Sequence, residues 1–279
     1  MEKASLLGQW KDRKKAQGAP NTIGKAPEGA AIPLSYSQQR LWFLQQLYPR
    51  NSFYNYSEKY SFVGDLQVDL LLQALIQVFE NHDILRTVYY SEDGQPFMRI
   101  LPETGISVSQ HDLSDYKGDT HAALKKIGDA DADHSFDLSE PPVALVSVIR
   151  MKKKQHVVML TLHHIATDKW SMNLLKVEWA EYYRRLSKGS HPEPKVPTVQ
   201  YPDFAYWQRE RKIKQEQLEY WKGKLAGDIP MIDLPTDFPR PREATFIGRS
   251  SAFHHFSEQM SGTILRTCKQ LGVTPYVFF

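Results

Sequence analysis

Along the chain, apolar residues switch between a three-to-four-residue period and strict alternation, and these switches divide it into elements. Ser35 suits a helix N-cap, and Leu41, Phe43, Leu44 and Leu47 predict a helix with an apolar stripe that ends before Pro49. A strand is expected over 56–63. Asp69 suits the cap of a second helix with Leu72, Leu75, Ile76 and Phe79 on its inner face, followed by an extended run over 85–89. Asp93-Gly94 predicts a hairpin turn returning through 97–101. A helix over 121–132 precedes strands over 143–149 and 156–163, joined by a turn that carries Lys152, Lys153 and Lys154. A helix over 171–186 with Leu175 and Trp179 inside is broken by the proline-rich stretch 191–197, the expected subdomain boundary.

Beyond that break the pattern predicts a helical run over 201–225 and an extended loop containing Pro230, Pro235, Pro239 and Pro241. A strand near 251–256 and helix starts at Gln259 and near Thr274 complete the series. Residues 1–30, with a basic cluster over 11–15 and then Gly18, Pro20, Gly24, Pro27 and Gly29, read as a short helix and a flexible linker or docking segment. The apolar run Tyr276-Val277-Phe278-Phe279 suggests a fragment whose core-forming partner is missing. No internal repeat is present. Strands alternating with helices imply a mixed α/β fold.

Composition narrows the class. With 279 residues, 41% hydrophobic and 24% charged, the chain is long enough for one large domain or two ordinary ones and unlike disordered or coiled-coil sequences. Thirty-five Lys+Arg against 32 Asp+Glu leave a net charge of +3, too little for a nucleic-acid-binding surface. A single cysteine, Cys268, excludes an intrachain disulfide and a cysteine-rich zinc site, as a reducing compartment allows. The apolar runs fall short of the roughly 20 residues that cross a bilayer, and the N-terminus has no apolar signal core. A cytoplasmic location without membrane or nucleic-acid partners is expected.

The chemistry concentrates at one strand end. Val157 to Leu162 reads as a buried strand that closes on His163-His164, with Asp168 four residues later. Side chains alternate along a strand, so only one of the two histidines can face a given cavity, which argues against twin bases and against a shared metal. An imidazole titrating near neutrality is suited to take a proton from an attacking nucleophile. Asp168 is placed to orient a ring or hold the loop. A bare HHxxxD also fits two structural histidines and a turn aspartate. No G-x-S-x-G elbow, P-loop or G-x-G-x-x-G occurs. The pair His254-His255 lacks the following aspartate and reads as structural.

Four segments taken together resemble the condensation domains of nonribosomal peptide synthetases. Ser35-Tyr36-Ser37-Gln38-Gln39-Arg40-Leu41-Trp42-Phe43-Leu44 is similar to the opening S-x-x-Q-x-R-L-W-x-L element, and Asn81-His82-Asp83-Ile84-Leu85-Arg86-Thr87 to R-H-E-x-L-R-T. His163 to Asp168 match HHxxxDG, and Tyr201-Pro202-Asp203-Phe204-Ala205-Tyr206-Trp207-Gln208 matches Y-x-D-[FY]-A-x-W-Q. Tyr220-Trp221 through Leu234-Pro235-Thr236-Asp237 and Pro239-Arg240-Pro241 are also family-like, so the resemblance spans about residues 31–279.

The resemblance implies a chloramphenicol-acetyltransferase-like fold, an α+β two-layer sandwich. Residues 31–200 would form the N-terminal subdomain and 201–279 the start of a truncated second one. It implies amide-bond formation between two thioesters on the 4'-phosphopantetheine arms of donor and acceptor carrier proteins, with no cofactor or metal bound by the domain itself. A downstream adenylation domain would be a further partner. His164 corresponds to the catalytic histidine, His163 and Asp168 to residues supporting the loop, and Lys169, Trp170 and Ser171 to the substrate tunnel. Arg40, Arg86, Asp203 and Trp207 correspond to structural motif positions. The stretch Gln39 to Leu44 resembles domains that accept an L-configured donor, and Met1 leaves a starter role open.

Two departures stand out. The glycine of HHxxxDG is Lys169, a cation beside the expected tunnel, and a full domain is considerably longer than this chain. The second implies that the fragment alone is inactive. A docking module of the same fold without chemistry and a coenzyme-A-dependent acyltransferase are the competing readings.

Overall fold

The computed structural model describes residues 22–190, 192–211, 214–230, 235–239 and 255–279. These divide into two compact units, residues 1–235 and 236–279. The first unit holds two sheets. Strands β1 (Ile32–Pro33), β4 (Gln95–Ile100) and β3 (Thr87–Glu92) form one, in the order β1-β4-β3. The other runs β2 (Asn55–Val63), β7 (Gln155–His163), β6 (Ala144–Lys152), β5 (Ile106–Asp112), antiparallel except for the parallel β5–β6 pair.

Strand β7 is the hydrophobic spine. From His156 to His163 every residue is buried, as expected of a strand covered on both faces. Val158, Leu160 and Leu162, with Ala144, Val146 and Val148 of β6, face helices α2 (Val68–Asn81) and α4 (Lys169–Leu186). On the opposite face Val157 and Met159 pack with Leu124 and Ile127 of α3 (Thr120–Ala132). Trp179 of α4 fills the contact between the two larger helices, and its indole N–H donates to the Leu71 carbonyl at 2.8 Å. Its burial and that of Leu175 match expectation.

Hairpin β3–β4 turns on Asp93 (φ 49°) and Gly94 (φ 74°), two left-handed residues in succession, the geometry for which Asp-Gly is suited. The lysine-rich turn likewise closes β6–β7, with Lys152 opposite Gln155.

Three expectations are corrected. Helix α1 (Tyr36–Leu47) starts at the Ser35 cap as read, with a complete capping box from Gln38, but its expected stripe is not its inner face. Phe43 and Leu47 are 60% and 54% exposed, while Gln38 and Gln45 are buried. Both amides are satisfied, which is what permits their burial. Gln45 donates to the Phe136 carbonyl (3.1 Å), and Gln38 donates to the Ile165 carbonyl (3.2 Å) and the Tyr89 hydroxyl (3.3 Å). In α2 the inner face is Leu71, Ala74, Leu75, Val78 and Phe79, so Leu72 and Ile76 are rotated off it. Gln67 takes the N-cap position and Asp69 falls in the first turn, where a carboxylate suits the helix dipole. The helical run over 201–225 is two helices, α5 (Tyr201–Glu210) and α6 (Gln215–Lys224), because Arg211 turns to extended backbone.

Helix α5 docks on the start of α1. The Tyr201 hydroxyl meets Ser35 Oγ at 2.9 Å, Gln208 Oε1 accepts the Tyr36 N–H at 2.9 Å, and Arg209 donates to the Leu34 carbonyl at 2.6 Å. Asp203 caps α5 through the Gln200 N–H (2.8 Å) and holds the lead-in segment through the Ala26 N–H and Lys25 Nζ, both at 2.9 Å. The lead-in expected to be flexible is therefore bonded at residues 25 and 26. Its basic cluster and the 1–21 stretch lie outside the described residues, as does most of the strand expected near 251–256.

In the second unit α7 (Glu258–Leu271) is capped by Ser257 and ends at Gly272, whose left-handed φ of 67° closes the helix. Thr274 caps the short α8 (Pro275–Phe278). Among the described residues no helix is long and apolar enough to cross a membrane.

Gln38→Ala removes the donor that the buried Ile165 carbonyl and Tyr89 hydroxyl share. It is expected to lower unfolding free energy by about 1–3 kcal/mol in urea titration, whereas Phe43→Ala on the exposed face changes it by about 0.5 kcal/mol or less.

Candidate functional site

The two histidines diverge because β7 ends between them. His163 is the last ladder residue, opposite Asn55, and its ring is buried. The Ile165 N–H donates to its Nδ1 at 3.1 Å, so the neutral ring carries its proton on Nε2, which has no partner among the described residues. Burial first, and the neighbouring His164 second, push its pKa down to about 4. His163 is thus neutral near pH 7 and closed to substrate.

His164 faces the other way, into a cavity of about 500 Å³. Its backbone N–H extends the ladder by bonding the Tyr54 carbonyl at 2.7 Å. Its Nδ1 lies 3.0 Å from the Thr167 carbonyl, and a carbonyl only accepts, so Nδ1 carries the proton and donates it. In the neutral ring the Nε2 lone pair is then the basic site, the arrangement a general base needs. The Tyr56 ring stands perpendicular to the imidazole (85°) with centroids 5.1 Å apart.

Asp168 does not bond either histidine. It is the N-cap of α4, with Oδ1 accepting the Ser171 N–H and the Ser171 hydroxyl, each at 2.7 Å. The Ser171 N–H, then its hydroxyl, hold the carboxyl below its ordinary pKa. The aspartate therefore fixes where the His164 loop becomes helix.

Of the three residues expected along the tunnel, Ser171 lines the cavity, while Lys169 and Trp170 lie outside it. Trp170 is 74% exposed. Lys169 turns to strand β2, where Nζ meets Glu58 Oε1 at 2.8 Å. Arg40 reaches the cavity rim. Arg86 lies off the cavity, clamping the 3-10 turn Asp83–Arg86 by donating to Asp83 Oδ1 at 2.6 Å and to the Leu101 carbonyl. Trp207 lies under the Arg211 guanidinium, 4.5 Å from the ring centroid. Asp203, though burial opposes its ionisation, is held below its ordinary pKa by the Gln200 and Ala26 N–H groups and by Lys25.

The site contains residues that the motif reading passed over. His82 lines the cavity and pairs with Glu178 of α4 at 2.8 Å. Glu58 lies on the inner face of β2 between Tyr56 and Tyr60. The signal for it was an acidic residue at an inward position of an alternating strand, with Lys169 and Lys176 seven residues apart on one helix face. Among the described residues no cluster of three or more His, Cys, Asp or Glu side chains is placed to hold a metal ion.

Since folding favours neutral His163, the unfolded state binds more protons between the folded value of about 4 and the ordinary value of about 6.5. The associated stability is present above that range and lost as pH falls through it. Urea unfolding between pH 7 and pH 4 is expected to show this decline, and His163→Gln should remove up to about one proton from its slope.

Comparison with known proteins agrees with this geometry. The condensation domain family profile matches residues 29–279. The chain is 35% identical over 250 residues to a linear gramicidin synthase of Brevibacillus parabrevis, an alignment covering 85% of this chain and 3% of that synthase. To malpibaldin synthetase of Mortierella alpina it is 37% identical over 236 residues, covering 82% of this chain and 4% of the synthetase. The fold matches the crystal structure of the starter condensation domain of rhizomide synthetase with a TM-score of 0.63 at 23% identity, covering 73% of this chain and 52% of that one. It also matches the X-domain in complex with OxyB from teicoplanin biosynthesis, with a TM-score of 0.68 at 26% identity, over 81% of this chain and 50% of that one. The chain thus spans a few per cent of these synthetases and about half of these solved domains. A family profile that covers nearly the whole chain, on the fold of solved condensation domains, makes this chain a member of the condensation domain family of nonribosomal peptide synthetases.

Proposed function

We propose that this chain is the N-terminal part of a domain that forms an amide bond between two carrier-protein-bound thioesters, with His164 as its catalytic residue. Condensation domains act on carrier-bound substrates within multidomain synthetases. The observation that carries the reading is the His164 ring on the cavity wall, its Nδ1–H taken by Thr167 and its Nε2 left to accept. The acceptor amine attacks the donor thioester carbonyl and gives its proton to Nε2. The C–S bond breaks as the C–N bond forms, and the released thiolate takes up the proton. His163 and Asp168 shape the loop that aims the ring. The substrates ride on phosphopantetheine arms of donor and acceptor carrier proteins, and an adenylation domain supplies the activated amino acid.

In this reading residues 31–200 are the N-terminal subdomain and the chain beyond them begins the second, its first helix still docked on α1. The fragment alone is inactive, since the opposite wall of the tunnel belongs to the remainder of that second subdomain. A cytoplasmic location fits carrier-bound substrates.

A single-turnover assay on the complete synthetase module, with both carriers loaded, tests this. His164→Ala is expected to slow amide formation by about 100-fold or more without releasing the carriers. Condensation by His164→Ala at the wild-type rate would overturn the reading, and an inert wild type that still binds carriers would replace it with a docking module. Because Lys169 is held on Glu58 outside the cavity, with Lys176 a second partner for that carboxylate, Lys169→Gly is expected to condense within about fivefold of wild type. An increase beyond that would mean that the lysine obstructs entry.

A further inference from the structure

The bond to Thr167 fixes the His164 ring at one atom only, and the imidazole can still rock about that contact. The Tyr56 ring closes this freedom, standing perpendicular to the imidazole at a centroid distance of 5.1 Å. Tyr56 is tethered in turn. Its hydroxyl donates to Glu58 Oε1 at 3.0 Å, and the same carboxylate accepts Tyr60 at 2.7 Å on Oε2. Two lysines of α4 complete the cluster, Lys169 at 2.8 Å on Oε1 and Lys176 at 3.2 Å on Oε2.

The path is closed: β2 supplies Tyr56, Glu58 and Tyr60, α4 supplies the lysines, and the loop leading into α4 carries His164 back against Tyr56. We propose that Glu58 and Tyr56 are positioning residues for His164. The carboxylate, gripped by two lysines, anchors the tyrosine whose ring sets the angle of the imidazole. On this account Lys169 tightens the helix onto β2 and leaves the cavity clear.

The charge state of the cluster suits this task. Burial opposes ionisation of Glu58, but Lys169, Tyr60, Lys176 and Tyr56 outweigh it and bring its pKa to about 2. Burial, and then the Glu58 bond, raise the Tyr56 pKa, so its hydroxyl stays a donor. The anchor therefore keeps its bonds throughout the neutral range. A side chain aimed by a rigid neighbour is held closer to its productive angle than one aimed by a single hydrogen bond, and misplacement by about 1 Å can cost about 100-fold in rate.

The inference rests on His164 as the catalytic residue, and the test separates the two. In single-turnover condensation by the complete module at saturating carriers, Tyr56→Phe keeps the ring but loses its tether, and Glu58→Gln loses the grip on the lysines. Each is expected to slow the reaction by about threefold to tenfold. Tyr56→Leu, which removes the ring, should slow it by about 10-fold to 100-fold. The carrier concentration giving half-maximal rate should stay unchanged in all three, a split that general loss of packing would not produce.

Wild-type rates in Tyr56→Leu and Glu58→Gln beside an inert His164→Ala would overturn the positioning role. So would a change confined to half-saturation, or equal slowing by Tyr56→Phe and Tyr56→Leu, since the ring would then not be the orienting element. Should Tyr56→Leu fail to fold, the Phe and Gln variants decide, and wild-type rates in both overturn the proposal. An active His164→Ala would instead remove the reading beneath it.

Discussion

The register of β7 between β2 and β6 is the constraint on which the rest depends. Pairing runs unbroken from Val63–Gln155 to Asn55–His163, and His164 adds one more bond to Tyr54. Both faces of β7 are buried, so a one-residue slip would exchange its two faces and carry the imidazole of His164 to the wrong side. The ladder thereby decides which histidine is closed in and which reaches the cavity. Asp168 then stops the loop by capping α4, and the length between ladder and cap is what lets the Thr167 carbonyl reach His164 Nδ1.

A second layer of bonds holds the other cavity wall. The short sheet, α1 and α5 share a core around Leu34, Tyr89, Met98, Ile165 and Ala205. Gln38 crosses this region and bonds the Ile165 carbonyl, so the first helix is tied to the histidine loop itself. Helix α5 fixes the start of α1 through Tyr201, Gln208 and Arg209. Two motifs far apart in sequence are thus one structural joint.

Elements specified by local chemistry were legible in the sequence. The Asp93-Gly94 turn, the Ser35 and Thr274 caps and the buried β7 followed from residue type and spacing. The divergence of His163 and His164 followed from alternation alone. What was not legible depended on tertiary partners. The helix 36–47 displays Phe43 and Leu47 and buries two glutamines, an inversion that only the carbonyls of Phe136 and Ile165 make favourable. Lys169 looked like a tunnel residue because spacing along the chain carries no information about Glu58, 111 residues away on β2. The break at Arg211 likewise has no glycine or proline to announce it.

The central claim is that the protein holds His164 as the tautomer protonated on Nδ1, with Nε2 open to the cavity. Nitrogen-15 NMR of histidine-labelled module, assigned by loss of the His164 signals in His164→Ala and recorded where the ring is neutral, tests this directly. The account predicts a protonated Nδ1 and an unprotonated Nε2 for His164. A proton resident on Nε2 would contradict it, because that nitrogen would then have no lone pair with which to accept one.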